Sequence, residues 1–296
     1  MQPLSGMLVV DLSRYLPGAF ASRELLDLGA RVVCLEPPGG DPMRRTAPAW
    51  DAALRAGKES VELDLKRDPA PALVLMRQAD IVLESFRPGV ASRLGVGPEH
   101  VPERTVYCSI TGFGLGGRHE QRAGHDLNYL GWAGALSDTA PAWPPVQIAD
   151  LAAGGLGAVT KILAALLERD RTGNGGHVVV SLTQGSHCLV AHRLGGDAVP
   201  RMLTGGLASY RIYETADGRH LTVAPLEPVF FRRLTELLGR PELADRQFDA
   251  DQEALAAELA AIFAMRPLAE WLELFDQEDV CVGPVATIAE AATDLG

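Results

Sequence analysis

The chain has 296 residues, of which 47% are hydrophobic and 22% are charged, as in soluble globular proteins. Its 38 acidic and 27 basic residues give a formal net charge of −11, which argues against general attraction to nucleic acid or an anionic membrane surface. The N-terminus lacks the basic and apolar regions of a secretory signal, and no uninterrupted apolar run reaches membrane-spanning length. We therefore expect a cytoplasmic protein with neither a nucleic-acid nor a membrane partner.

The four cysteines, Cys34, Cys108, Cys188 and Cys281, are scattered and form no Cys-x-x-Cys motif. This pattern predicts reduced, buried thiols and no metal site.

The first half of the chain alternates between strand-like and helix-like segments. Strands are predicted at 7–12, 30–35, 60–65, 80–84, 104–110 and 178–182. Helices are predicted at 17–28, 70–79, 126–136, 150–168 and 184–194. Strands that alternate with helices indicate an α/β fold with a parallel sheet.

The pattern changes at about residue 195, where Gly, Pro and Arg interrupt the periodic segments. A β-hairpin is predicted from strands at 210–214 and 220–224, because Asp217-Gly218 suits a tight turn. Helices at 228–238, 253–265 and 268–277 and a strand at 280–286 follow. The predicted organisation is a large α/β domain at 1–195, a linker at 196–206 and a small α+β domain at 207–296.

Two residues carry the most informative chemistry. His125 precedes a predicted helix, and Asp150 stands directly before a long, glycine-opened apolar helix. An imidazole, which titrates near neutral pH, and a carboxylate at a helix start can move a proton in two directions. Each also has a structural interpretation, since a single histidine is more often structural and aspartate is a favoured N-cap. Free N–H groups at the helix start beside Asp150 can also stabilise an oxyanion.

Other motifs are weaker. Gly112 to Gly117 formally fits G-x-G-x-x-G, but a polar, aperiodic segment follows it instead of a helix, so we predict a loop near a ligand and not a dinucleotide site. Glu227 precedes Pro228 at a predicted strand-to-helix transition, where it is either a cap or a functional carboxylate. The candidate anion contacts in the first half are Arg44, Arg45, Arg87, Arg93 and Lys58.

Several segments together resemble the family III CoA-transferases and, among them, the α-methylacyl-CoA racemases. The segments that carry the resemblance are 8–13, 28–33, 64–66, 86–90, 93–97, 111–114, 124–129, 149–150 and 226–228. The most specific signal is Gly-His-Asp-x-Asn-Tyr, followed by an aspartate 25 positions after the histidine and by Glu-Pro after a hairpin strand.

The resemblance implies a catalytic set. His125 would be one acid/base and Asp150 the base on the opposite face, with Glu227 orienting His125. In the transferases the equivalent aspartate is instead a nucleophile that forms an anhydride and then an aspartyl-CoA thioester. Because those transferases generally lack the Gly-His-Asp pattern, the resemblance favours a racemase or epimerase acting on 2-methylacyl-CoA thioesters through an enolate.

The resemblance also implies the ligand and the assembly. The CoA contacts would be Arg87, Arg93, Lys58, Gly112, Gly114, Asn128 and Tyr129. CoA is part of the substrate, and neither a metal nor a further cofactor is implied. The implied fold is a large open, Rossmann-like α/β domain beside a small α+β domain, in an interlocked homodimer whose active sites are shared between subunits.

The chain departs from the family pattern in three places. Glu36-Pro37-Pro38 replaces acidic-Arg-Pro, Arg55-Ala56-Gly57-Lys58 replaces Asn-Arg-Gly-Lys, and the sequence stops at Gly296, so we expect a shortened C-terminal return segment. Two alternatives therefore stay open beside the racemase: a CoA-transferase with Asp150 as nucleophile, and a non-catalytic acyl-CoA-binding homologue.

Overall fold

Six parallel strands form the sheet of the first unit in the computed structural model, which describes residues 1–190 and 201–295. The strand order is β3-β2-β1-β4-β5-β6. The strands are Leu8–Asp11 (β1), Arg31–Glu36 (β2), Glu59–Glu62 (β3), Ile81–Glu84 (β4), Val106–Thr111 (β5) and Gly176–Ser181 (β6). All six overlap the predicted strands. The chain reverses its direction of sheet building between β1 and β4, and open α/β sheets bind ligands at this switch point.

Apolar side chains on both faces explain why the central strands form. Val9, Ile81 and Cys108 belong to one buried cluster. Val10, Val82 and Tyr107 belong to a second cluster on the opposite face. Alternate residues of a strand point to opposite faces, so continuous apolar runs produce a sheet that is covered on both sides.

The helices of the first unit include all of those predicted and three short additional ones. They are Leu16–Asp27 (α1), Met43–Thr46 (α2), Pro48–Arg55 (α3), Ala70–Met76 (α4), Val90–Arg93 (α5), Asp126–Trp132 (α6), Gly157–Thr172 (α7) and Leu182–Leu189 (α8), with a 3-10 helix at Pro98–His100. The additional helices are α2, α3 and α5. The end of the helix predicted at 184–194 lies outside the described residues.

The segment around Asp150 differs from the prediction of one continuous α-helix. Ala149–Leu156 is a π-helix, and α7 continues from it at Gly157. A Cβ at Gly154 would lie 2.4 Å from Leu182 Cδ2, and one at Gly155 would lie 2.5 Å from Phe20 Cδ1. The two glycines therefore let α1 and α8 approach the π-helix, and π-helical turns often occur at functional sites.

The π-helix and α7 together form one helix, Ala149–Thr172, that is long and apolar enough to cross a membrane by length and composition alone. The sequence prediction concerned an uninterrupted apolar run, and Asp150 and Lys161 interrupt this helix. One such helix is a weak indication, because the core helix of a soluble protein passes the same test. Here Ala158, Ile162 and Leu166 are buried in the core of the first unit.

The second unit contains a three-stranded antiparallel sheet in the order β7-β8-β9. Its elements are Arg211–Glu214 (β7), His220–Val223 (β8), Val282–Pro284 (β9), Pro228–Leu237 (α9), Gln252–Phe263 (α10), Leu268–Phe275 (α11) and Ile288–Leu295 (α12), with 3-10 helices at Arg201–Leu203 and Pro241–Arg246. The predicted hairpin is confirmed, and the Thr215 N–H donates to the Arg219 carbonyl at 2.8 Å across its turn. The α12 helix was not predicted.

The predicted boundary at residue 195 lies outside the described residues. The first half of the predicted linker at 196–206 lies there too, and the described part begins with the 3-10 helix Arg201–Leu203. The limits of the two predicted domains therefore stay predictions.

The cysteines partly contradict their prediction. All four are free thiols, and Cys34 and Cys108 are buried. Cys188 and Cys281 are exposed, so the prediction of burial is wrong for these two. Burial raises the pKa of Cys34 to about 12, which keeps that thiol protonated.

Candidate active site

A cavity of about 530 Å³ opens where β1, β4 and β5 end, next to the switch point of the sheet. The residues that line it include Arg14, Tyr15, Ser85, Phe86, Arg87, Thr111, Gly112, Glu120, Arg122, Gly124, His125, Asn128, Tyr129 and Asp150. All of them belong to the first unit.

His125 enters the cavity from the start of α6. It occupies the N-cap position with extended backbone, and its N–H donates to Asn128 Oδ1 at 3.1 Å. This bond, three residues into the helix, is half of a capping box and fixes the backbone that carries the imidazole. The residue is exposed, so the imidazole is accessible to a ligand in the cavity.

Asp150 lines the same cavity from the π-helix. Burial, and then the negative charge of Asp126, raise the pKa of the Asp150 carboxyl from 3.8 to about 7. A carboxyl with this pKa is present in both protonation states near neutral pH, as an acid/base group requires.

The carboxylate of Asp126 contradicts the prediction of free N–H groups beside Asp150. Its Oδ1 accepts the Asp150 N–H at 2.9 Å, and the Ala149 N–H also donates to this carboxylate. The predicted free N–H groups beside Asp150 are therefore occupied in these two cases. Asp150 is also the second residue of its helix and not the N-cap.

Tyr129 packs between the glycines of the cavity wall. A Cβ at Gly112 would lie 2.6 Å from its Cε1, and one at Gly124 would lie 2.7 Å from the same atom. The Tyr129 hydroxyl donates to the Gly124 carbonyl at 2.5 Å. Burial and the nearby Asp150 raise the pKa of Tyr129 to about 12, so its hydroxyl stays protonated. The missing side chain at Gly112 thus makes room for the Tyr129 ring.

The other predicted CoA contacts divide into two groups. Arg87 and Asn128 line the cavity, whereas Gly114, Arg93 and Lys58 are not among its lining residues. Lys58 Nζ instead donates to the Ala19 carbonyl and to Ser22 Oγ, both at 2.8 Å. Burial lowers the pKa of Lys58 although the nearby Asp11 raises it.

Glu227 lies in the second unit, at the N-cap of α9. Its carbonyl accepts the N–H groups of Phe230 and Phe231 at 3.1 and 3.2 Å, while its carboxylate makes no capping bond. Burial, and then the negative charge of Glu227, raise the pKa of Cys281. The role of Glu227 in orienting His125 stays a prediction.

Arg14, Tyr15 and Arg122 are among the residues of the cavity wall that the sequence interpretation missed. No local motif marks them. For Arg14 and Tyr15 the only signal is topological, because residues that closely follow β1 must lie at the switch point of this sheet. Arg122, in the loop between β5 and α6, has no such signal. Across residues 1–190 and 201–295, no group of three or more His, Cys, Asp or Glu is arranged to hold a metal ion.

Comparison with known proteins identifies the family. The model of CoA-transferase family III matches residues 4–295. Alpha-methylacyl-CoA racemase from Homo sapiens is 36% identical over 308 residues, which cover 97% of this chain and 78% of that protein. Acetyl-CoA:oxalate CoA-transferase from Acetobacter aceti is 34% identical over 322 residues, which cover 98% and 82%.

A solved structure extends the similarity to the fold. The crystal structure of a CAIB/BAIF family protein from Brucella suis is 31% identical, with a TM-score of 0.84 over 99% of this chain and 86% of that one. The family match covers nearly the whole chain, and the cavity brings His125 and Asp150 to one site. This chain belongs to CoA-transferase family III.

Proposed function

We propose that this protein is an acyl-CoA racemase or epimerase, which inverts the α-carbon of 2-methylacyl-CoA thioesters by proton transfer between two groups. The observation that carries the proposal is that an imidazole and a carboxyl with a pKa of about 7, His125 and Asp150, face one cavity. A carboxyl that is present in both protonation states near neutral pH, in the same cavity as an imidazole, suits a proton transfer that runs in both directions.

The proposed reaction has two steps. With the α-carbon between the two side chains, one of them accepts the α-proton, and the C–H electron pair moves into the thioester to give an enolate. The other side chain then donates its proton to the opposite face of the α-carbon. The product has the inverted centre, and the two side chains have exchanged protonation states.

The thioester oxygen needs a donor while it carries the enolate charge. Since the N–H groups of Ala149 and Asp150 donate to Asp126, we assign this contact to Asn128. Asn128 lines the cavity, and its Oδ1 accepts the His125 N–H, so its NH₂ group remains to donate.

A CoA-transferase is the second candidate. In that reaction the Asp150 carboxylate attacks the acyl carbonyl of the thioester, the C–S bond breaks and CoA leaves as the thiolate, which gives a mixed anhydride. The Acetobacter aceti relative, a CoA-transferase by name, supports this possibility. A carboxyl with a pKa near 7 can both accept and donate a proton at neutral pH, which supports the racemase. The identities of 36% and 34% do not separate the two reactions.

The assembly and location form part of the proposal. We propose a cytoplasmic homodimer with shared active sites, in which Glu227 of the small domain orients His125. Lipid or branched-chain acyl metabolism supplies the substrates. The acidic net charge of −11 supports a partner that is neither nucleic acid nor an anionic membrane.

The decisive experiment follows deuterium from D₂O into the α-position of a 2-methylacyl-CoA, with chiral analysis of the product. We expect exchange together with loss of stereochemical purity. Asp150→Asn and His125→Gln should each lower the rate by about 10²- to 10⁴-fold, the usual contribution of a general acid or base. The exposed control variants Asp170→Asn and His220→Gln should retain the wild-type rate.

Two other results would replace the proposal. An Asp150 thioester that hydroxylamine traps, without α-exchange, would establish the transferase. Binding of acyl-CoA with neither reaction would establish a non-catalytic homologue.

A further inference from the structure

Glu84, the last residue of β4, is a buried carboxyl that the proposed reaction does not use. It alternates with Val82, so its side chain points to the face of the sheet that α4 and α5 cover with Ala72, Met76 and Ala91. Across residues 1–190 and 201–295, no arginine, lysine or histidine forms an ion pair with Glu84. An ionised carboxyl that is buried without a cation is unfavourable for the fold, so Glu84 is a candidate for a functional role.

A hydrogen bond joins Glu84 to the wall of the 530 Å³ cavity. Its Oε2 accepts the Phe86 N–H at 2.6 Å, and this bond fixes the backbone where the chain leaves the sheet. The four residues that follow Glu84, at 85–88, all line the cavity. At the far end of this segment the Pro88 carbonyl accepts Gln121 Nε2 at 3.3 Å. The charge on Glu84 therefore acts directly on one wall of the cavity, although Glu84 itself does not line it.

A chain of polar groups connects Glu84 to the surface. Ser109 of β5 is in register with Glu84, and its hydroxyl interacts with the Glu84 carboxyl. Ser109 Oγ lies 3.0 Å from Nε2 of His177, an exposed residue of β6. A hydroxyl both donates and accepts, so this chain can transfer a proton between the buried carboxyl and solvent.

The surroundings of Glu84 make it change charge near neutral pH. Burial raises the pKa of Glu84 from 4.5 to about 7, although the bonds from Ser109 and from the Phe86 N–H lower it. The neighbouring groups of β5 do not change charge in this range. Burial, and then the charge of Glu84, raise the pKa values of Tyr107 and Cys108, so both stay protonated.

The other ionisable groups around this site do not supply a cation. Partial burial lowers the pKa of His177, although Glu99 raises it, so the imidazole is neutral at pH 7. Asp11 of β1 is in register with Leu83 and points to the opposite face. Helix α4 contains no charged residue, and Arg93 of α5 is exposed.

The two protonation states of Glu84 hold the segment at 85–88 with different strength. The carboxylate accepts bonds from Ser109 and from the Phe86 N–H, and bonds to a charged acceptor are stronger than bonds to a neutral one. We propose that Glu84 is a positioning residue, whose ionised form holds the segment at 85–88 in the arrangement that binds CoA thioesters and which releases its proton to solvent when the ligand binds. The inference rests on the proposed function for the identity of the substrate.

The first test counts protons and needs no turnover. Free CoA is titrated into wild type and Glu84→Gln at pH 7 by calorimetry, in buffers with different ionisation enthalpies. A ligand that prefers the ionised form displaces the proton, so wild type should release up to about 0.5 proton more than Glu84→Gln. The phosphates of CoA contribute equally to both titrations and cancel in the difference.

The second test separates KM from kcat. Between pH 6 and pH 8, KM of wild type for a 2-methylacyl-CoA should fall by about 3- to 10-fold relative to KM of Glu84→Gln, the difference between a bond to a charged acceptor and one to a neutral acceptor. The pH profile of kcat should be the same in both proteins, because Glu84 does not contact the reacting carbon. A purely structural role would change KM by a factor that does not depend on pH.

Two further variants sharpen the test. Ser109→Ala removes a donor that stabilises the carboxylate, so the midpoint of the KM profile should move to higher pH. Glu103→Gln changes an exposed carboxyl shortly before β5 and should retain the wild-type profile. Thermal unfolding of each variant verifies that it is folded.

The outcomes separate this inference from the proposed function. Greater proton release by wild type than by Glu84→Gln supports the role of Glu84 even if wild type shows no α-exchange, a result that rejects only the proposed function. Equal proton release by the two proteins, or a ratio of their KM values that stays constant with pH, would overturn the role of Glu84 whatever reaction the protein catalyses.

Discussion

Two charged regions of the first unit differ in whether their arginines form ion pairs with carboxylates. In the carboxylate–arginine cluster, formed by Glu36, Asp41, Asp51, Arg44 and Arg55, every arginine contacts at least two carboxylates. Arg55 Nε lies 2.6 Å from Asp51 Oδ1, and Arg55 also contacts Glu36 and Asp41. In the 530 Å³ cavity, by contrast, Arg14, Arg87 and Arg122 form no ion pair with any described carboxylate.

The difference separates arginines that pair with carboxylates of the fold from arginines that do not. The cluster satisfies its own charges, so its arginines are not available to an anionic substrate. Arg44 had been a candidate anion contact on sequence grounds, and these contacts instead support a structural role. The cavity leaves its cations uncompensated and raises the pKa of Asp150, and perturbed groups of this kind are typical of functional sites.

The largest expected effect comes from breaking the cluster. Arg55 is the more buried of the two arginines in this cluster, with 16% of its side chain exposed. Its loss would leave Asp41 without an arginine and Arg44 as the only arginine beside Glu36 and Asp51. We expect Arg55→Met to lower the free energy of unfolding by about 3 kcal/mol, as when one partner of a buried ion pair is removed. Denaturant unfolding of the full chain measures this change.

The exposed neighbour Arg45 provides the control, since Arg45→Met should change stability by less than about 0.5 kcal/mol. Similar stabilities for Arg55→Met and wild type would show that the cluster does not hold the fold.

The second effect has the opposite sign and lies in the cavity. An unfolded aspartate ionises near pH 3.8 and Asp150 near pH 7, so the folded state binds the proton more tightly. Stability therefore falls as the pH rises through this window, and the loss is complete above pH 7. Asparagine cannot ionise, so Asp150→Asn should gain stability over wild type as the pH rises from 4 to 8.

A full shift from 3.8 to about 7 corresponds to about 4 kcal/mol. The cavity is open, so solvent screening reduces this value. We expect Asp150→Asn to be about 2 kcal/mol more stable than wild type at pH 8. Thermal unfolding of both proteins at pH 5 and pH 8 measures it. A difference that does not depend on pH would contradict the raised pKa.

The smallest effect tests the outer part of the cluster. Arg44 has 47% of its side chain exposed, although it contacts Glu36 at 3.0 Å and Asp51 at 3.2 Å. Exposed ion pairs contribute little, so Arg44→Ala should cost about 1 kcal/mol or less. In a double-mutant cycle the losses from Arg44→Ala and Arg55→Met should not add, because both residues share Glu36 and Asp51. Strict additivity would mean that the five residues do not act as one cluster.

The sequence predicted the strands well because their β-branched, apolar runs are local signals. It did not predict α2 and α3, the helices that carry Arg44 and Arg55. Both arginines contact Glu36 at the end of β2, and a contact between distant segments leaves no local signal. It also did not distinguish the π-helix from an α-helix, since the same apolar side chains suit both and the choice depends on how closely α1 and α8 approach Gly154 and Gly155.

The candidate site shows the same limit. His125 and Asp150 were found from a spaced pattern and line one cavity. Arg14 was missed because its place in the cavity wall comes only from the strand order, which joins the ends of β1 and β4. The raised pKa of Asp150 was also not predictable, because it depends on burial and on Asp126, 24 positions earlier in the chain.

The wide turn that carries Asp150 makes this part of the chain sensitive to length and not only to composition. A π-helix holds more residues per turn than an α-helix, so removing one residue between Ala152 and Leu156 allows ordinary α-helical winding. Such a deletion is absorbed by the change in winding, whereas a deletion inside α7 has no wide turn to absorb it and would turn Asp150 by about 100° away from the cavity wall. The number of residues between Asp150 and the buried side chains of α7, and not only their composition, therefore decides where the Asp150 carboxyl lies.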